Sequence, residues 1–193
     1  MATVLLTGTN CSQQNNIKPA ASYEDTIAEW DSYEDVAKWL KSNFSWDLSS
    51  QTKIHKGIRK YGYQDVWSVP GILQSPLETF NNRRGHCKDS ANFANGVLEQ
   101  IDPAYNPRFL FIWNEDGPPH HWVTAFTKDG KLYFMDFGAG PKWSAVNGVH
   151  GPYNSPEEYI EYLASLNVSG FRPTWGPEFD TYSRNLLIKL YSV

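Results

Sequence analysis

Cysteine is scarce in this chain: its 193 residues hold only Cys11 and Cys87, 76 positions apart. Two thiols so placed make no disulfide framework, so the fold has to rest on an apolar core. No apolar run approaches the ~20 residues that a membrane-crossing helix requires. Basic clusters are missing as well: Lys and Arg never run beyond two in succession, and the net charge is -4. That excludes the electrostatic footprint of a nucleic-acid binder. There is no Gly-rich phosphate loop, no Cys-x-x-Cys and no His-Glu-x-x-His. No metal or cofactor is therefore expected. Gly138-Ala139-Gly140-Pro141 follows a strand pattern without opening a helix, which predicts a loop. The opening segment, Met1 to Cys11, has an apolar stretch too short for a secretory leader. As it stands it points to the cytoplasm; read as the tail of a longer leader, it points outside.

What the chain has in quantity is aromatic side chains, 15% of residues, with 8 Trp and 11 Tyr, in an otherwise ordinary globular composition of 40% hydrophobic and 20% charged residues. Residues 1–22 are polar and without periodicity over most of their length, which predicts a flexible lead-in, and 23–193 a single domain. Ser32 and Asp35 resemble a capping box before Val36, Trp39 and Leu40, predicting a helix over about 32–43. Ser75-Pro76-Leu77-Glu78 opens a second, short helix. Cys87, Ala91, Ala94, Leu98 and Ile101 recur at spacings of 4, 3, 4 and 3, one face of a helix over 87–101 that Asp102-Pro103 ends. Strands are expected at Arg108–Trp113, His121–Thr127, Lys131–Phe137 and Leu186–Leu190, and a helix from Ser155 through Leu163. Helices first and then a mostly antiparallel sheet make an α+β domain.

Cys87 stands out because it opens a helix. Unsatisfied N–H groups give that end partial positive charge, which favours a thiolate. Gly85, two residues earlier, would let the backbone turn tightly into the helix. A nucleophilic thiol needs a base, and the base needs an orienting partner. The Asp129-Gly130 turn supplies both. A two-residue turn pairs Lys128 with Lys131 and puts Asp136 opposite Val123, diagonal to His121 on the same face. A bulged three-residue loop would shift the register by one and select His120 instead. Each residue also has an ordinary explanation: Cys87 a small core residue, the histidines strand ends, Asp136 a turn cap that can be replaced without harm to the fold.

Arg84-Gly85-His86-Cys87-Lys88-Asp89-Ser90-Ala91 resembles the cysteine motif Gly-x-Cys-x-Asp-x-Ala of transglutaminase-like enzymes. His121 through Asp136, across an Asp-Gly-Lys hairpin, is similar to that family's second and third motifs. The stretch from Val66-Trp67-Ser68 to Ser75-Pro76-Leu77-Glu78 resembles the bacterial transglutaminase-like cysteine proteinases, so the likeness covers roughly 54–138. The resemblance implies a papain-like α+β fold, acyl transfer through a thioester, and a triad of Cys87 as nucleophile, His121 as base and Asp136 as orienter. The calcium-binding acidic neighbours of some relatives are replaced here by His86 and Lys88, so calcium is not expected. Ala125 stands where many relatives carry a glutamate.

The oxyanion donor is expected at the Cys87 backbone N–H, with Gln74 or Trp67 as side-chain candidates. The expected reaction is thiol-dependent acyl transfer on a protein, peptide or cell-wall amide, by a cysteine peptidase or amidase. The alternatives are a transglutaminase or deamidase acting on glutamine side chains, or a silent module that grips peptide or carbohydrate with Trp113, Trp143 and Tyr153.

Overall fold

Local capping starts most of the helices. The computed structural model describes residues 21–62 and 71–176; Cys11, Trp67 and the strand expected at Leu186–Leu190 lie outside them. Ser22 accepts from the Asp25 N–H and begins α1 (Tyr23–Ala28). In α2 (Tyr33–Asn43) the spacing holds, with Val36, Trp39 and Leu40 buried. The expected capping box does not close: Ser32 Oγ donates to the Asp35 carboxylate at 2.9 Å and accepts nothing from the helix. α3 (Leu48–Tyr61), unmarked in the sequence reading, is capped by Asp47, which accepts from the Ser49 N–H at 2.9 Å. In α4 (Pro76–Asn82) both halves of the box form, at 3.2 and 2.7 Å. α5 (Cys87–Ile101) has the bounds the pattern predicts.

A two-residue parallel pairing joins β1 (Ser45–Trp46) to β2 (Arg84–Gly85), tying the end of α2 to the start of α5. The main sheet holds β3 (Arg108–Asn114), β4 (His121–Lys128), β5 (Lys131–Asp136), β6 (Gly148–Tyr153) and β7 (Pro173–Thr174), in the order β6-β5-β4-β3-β7. Every neighbouring pair is antiparallel. A last helix, α6 (Pro156–Ser165), crosses back over the sheet. Gly138-Ala139-Gly140-Pro141 leads into a 3-10 turn at Pro141–Val146, where only a loop was expected.

The β4–β5 hairpin takes the tighter of the two registers open to the sequence. Lys128 faces Lys131 and Thr124 faces Met135. Asp129 and Gly130 have φ of 51° and 73°, the two positive values that a two-residue type I′ turn demands.

The sheet is the middle layer of three. On one face Phe126 and Met135 pack with Phe93, Ala94, Val97 and Leu98 of α5 and with Trp39 of α2. On the other, Leu110, Ile112, Val123 and Phe134 pack with Tyr159 and Leu163 of α6. Two buried or half-buried hydroxyls pin α5 to the strands: Thr124 Oγ1 donates to the Ala91 carbonyl at 2.6 Å and Ser90 Oγ to the Phe137 carbonyl at 2.5 Å. This is the expected α+β architecture, a helix opened by Cys87 against an antiparallel sheet. No helix among the described residues is long and apolar enough to cross a membrane.

Candidate active site

Cys87 is the first residue of α5, directly after the N-cap His86. Asp89 holds that helix start in place. Its carboxylate accepts from the His86 backbone N–H at 2.8 Å, from the Gln74 backbone N–H at 3.0 Å, and from the Lys88 ammonium, with Lys88 and Asp89 both buried. Gly85 is required here by close approach and not by a left-handed turn: a Cβ on it would stand 2.7 Å from Asp89 Oδ2 and 2.8 Å from Asp89 Cβ. Gly85→Ala is therefore expected to push Asp89 off the helix start and to cost ~1–3 kcal/mol. The checks are a lower Tm and slower alkylation of Cys87.

Gln74 is a strut of the same assembly. Its side-chain nitrogen donates to the Arg84 carbonyl at 3.0 Å, its side-chain oxygen accepts from Asn82 at 2.9 Å, and its carbonyl accepts from Asn92 at 2.8 Å. It does not line the cleft at Cys87, so the oxyanion role considered for it gives way to a structural one.

The hairpin brings His121 and Asp136 together. His121 Nε2 lies 2.8 Å from each Asp136 oxygen, and both residues are 0% exposed. Trp143 and Phe171 set their rings edge-on to the imidazole at 6.2 and 5.9 Å. With Nε2 held by Asp136, the buried Nδ1 is left without a hydrogen-bond partner. Burial alone would push the imidazole pKa down, but the Asp136 carboxylate, then the charge of Cys87, raise it to about 10.

Asp136 is no turn cap. Besides His121 it accepts from the Tyr159 hydroxyl at 2.6 Å, and it has no solvent contact. The expectation that its substitution leaves the fold unharmed is thereby corrected, since removing it orphans two buried donors. Tyr159 is also fully buried, stacked on Phe134 at 4.0 Å, and burial next to the carboxylate holds its hydroxyl pKa well above the ordinary value.

His120 lines the same cleft but is engaged differently. Its ring stacks on Trp113 at 3.9 Å, and its Nδ1 accepts from the Asn114 N–H at 3.1 Å. Burial depresses its pKa to about 4. The unfolded chain thus binds the proton first, at about 6.5. The stability His120 contributes as a neutral ring is present above that pH and is lost as pH falls toward 4. His120→Gln keeps an acceptor for Asn114 without the titration. It is expected to flatten the fall in Tm between pH 6.5 and 4; an unchanged slope would assign that loss to other groups.

Cys87 and His121 line one cleft of about 1040 Å³, walled by Ile54 and Ile58 of α3 and by Trp46, Trp122 and Trp143. His120 and His86 line this cleft too, and His86 is engaged with Ser50 Oγ at 2.6 Å, its pKa lowered mainly by burial. The aromatic trio expected to grip a ligand is dispersed: Trp143 lines the cleft, whereas Trp113, 39% exposed, stacks on His120 and Tyr153 packs against Tyr159.

The sequence profile of the transglutaminase-like domain matches residues 20–143, more than half of the chain. The chain belongs to the transglutaminase-like family. Its core is accordingly papain-like, a fold built for cysteine-based acyl transfer, and the matched span contains Cys87, His121 and Asp136. No curated protein matches the chain. In this transglutaminase-like protein, sequence reasoning missed Tyr159 and the Asp89 anchor. Asp89 stands at the third helical position, where a carboxylate capping its own helix start is a readable signal. Tyr159 falls beyond the matched span and carries no such signal.

Proposed function

We propose that the protein is a thiol-dependent amide hydrolase, with Cys87 as nucleophile, His121 as base and Asp136 as orienter. One observation carries the reading: a buried imidazole whose Nε2 is held by a carboxylate, with Nδ1 unpartnered, in the same cleft as a helix-opening cysteine. With its pKa raised to about 10, His121 holds a proton at neutral pH, and Cys87, its own proton already passed to Nδ1, attacks the amide carbon as the thiolate. The negative charge on the carbonyl oxygen is met by the Cys87 backbone N–H at the helix start. The imidazolium returns its proton to the leaving amine, and a Cys87 thioester remains. Water then attacks this thioester, the now neutral His121 takes one of its protons, the C–S bond breaks to restore the Cys87 thiolate, and the acyl group leaves as a carboxylic acid that ionises. A primary amine in place of water would give transamidation; water is the default acceptor.

An activated ester, p-nitrophenyl acetate, isolates the first half-reaction. The expected result is a stoichiometric burst of p-nitrophenolate, with the acetyl group located by peptide mass spectrometry on Cys87. Acetylation confined to Cys11, or no burst at all, would overturn the assignment. Added methylamine, by forming N-methylacetamide or not, separates transfer from hydrolysis.

A further inference from the structure

Carboxylates outnumber cations in this chain, 21 Asp and Glu to 17 Lys and Arg. Their distribution around the active site is the reverse. No Asp or Glu among the described residues lines the cleft at Cys87. Among the described residues, the acidic side chains paired with its groups are buried, Asp89 against Lys88 and Asp136 against His121, and the half-buried Asp47 acts on the cleft-lining His86. A second recess of about 400 Å³ opens between α2 and the β5–β6 edge, and it too lacks acidic lining. The two are neighbours: Trp46, Gly138 and Ala139 line both. Exposed cations rim each end, Lys38 and Lys41 at the recess and Arg59 and Lys142 at the cleft. None of these four forms an ion pair among the described residues.

We propose that the two recesses form one substrate groove, and that its ligand is a peptide carrying carboxylates on both sides of the amide presented to Cys87. The inference rests on the function proposed above. The Trp46 saddle and the Trp143 wall give the peptide backbone an apolar bed. Lys38 and Lys41 receive side-chain carboxylates on one side of Cys87, and Arg59 and Lys142 on the other. The lack of acidic lining makes the discrimination two-sided, because an acidic peptide meets little like charge. Each exposed pair changes affinity by a factor of a few at low ionic strength, so four together give about tenfold or more, screened by salt.

The test uses the full chain carrying Cys87→Ala and ten-residue peptides with a neutral fluorophore. Four Glu flank a central Gln-Gly in one peptide, and four Gln replace them in the other. Anisotropy is expected to show the Glu peptide binding about tenfold tighter at 20 mM salt, with the advantage gone at 500 mM. K38E/K41E and R59E/K142E should each remove threefold or more of it. Equal affinity for the two peptides, or a preference untouched by both double variants, overturns the groove. So does equally tight binding of an oligodeoxynucleotide of matched charge, which would mark indiscriminate anion attraction. Iodoacetamide on the wild-type chain separates the two readings. Fast alkylation of Cys87 without peptide discrimination sinks the groove alone, and discrimination with an inert Cys87 sinks the catalytic assignment alone.

Discussion

His121→Ala is expected to lower the rate of the acetyl-transfer burst by ~100-fold or more, the contribution of a positioned general base. That brings it close to the level of Cys87→Ala. His120→Ala, one residue away, is expected to lower it only a few-fold. The contrast follows from what each ring is engaged with, since both line the cleft. His121 has its Nε2 locked by Asp136 and its Nδ1 unpartnered, in a cleft shared with the thiol. His120 is spent on packing, stacked on Trp113 and accepting from Asn114. Its replacement is expected to show up in Tm instead, because the Asn114 N–H then loses its buried acceptor. Burst kinetics and thermal unfolding on both variants decide the matter. A larger kinetic loss at His120 than at His121 would remove His121 from the mechanism.

Asp136→Ala is expected to cost ~3–5 kcal/mol of stability, as does breaking other buried charged pairs, and to reduce the burst severely. The Tyr159 hydroxyl and His121 Nε2 both lose their acceptor. Asp136→Asn keeps an acceptor and is expected to lose much less of both. The pH dependence carries a sign. The raised pKa of His121, about 10 in the folded chain against an ordinary ~6.5, means that the folded state holds the proton more tightly. The stabilisation is full below about 6.5 and disappears as pH climbs through about 10. The Asp136→Ala penalty is therefore expected to be large at pH 6 and smaller above pH 10, as chemical denaturation at the two pH values would measure. Tyr159→Phe removes one donor from the carboxylate. Less satisfied, that carboxylate should hold the imidazolium harder and move the His121 ring titration, followed by NMR, further up. A Tyr159 that serves packing only would lower Tm and leave the titration where it was.

The His121–Asp136 pairing was legible because its determinants are local. Asp129-Gly130 admits the doubly positive φ that closes a two-residue turn, and the pairing of every later residue follows. The helix at Cys87 was legible for the same reason, an apolar face of fixed period ended by Asp102-Pro103. What escaped depends on distance in sequence. Tyr159 reaches Asp136 from α6, 23 positions on, and nothing in the pattern of an amphipathic helix says which inward residue ends on a carboxylate. β6, with two glycines and a proline in six residues, has no strand pattern of its own and exists because β5 offers it an edge. The reason for Gly85 was misjudged, since a turn and a close contact call for the same residue.

The two hydroxyl pins between α5 and the sheet imply an order of assembly. His121 and Asp136 lie 15 residues apart on one hairpin, whereas Cys87 comes from another element, tied to the sheet by Thr124 on Ala91 and Ser90 on Phe137. Short-range contacts form ahead of long-range ones. In the catalytic reading proposed above, the hairpin can therefore pair His121 with Asp136 on its own, whereas setting Cys87 before the ring depends on α5 docking against the sheet.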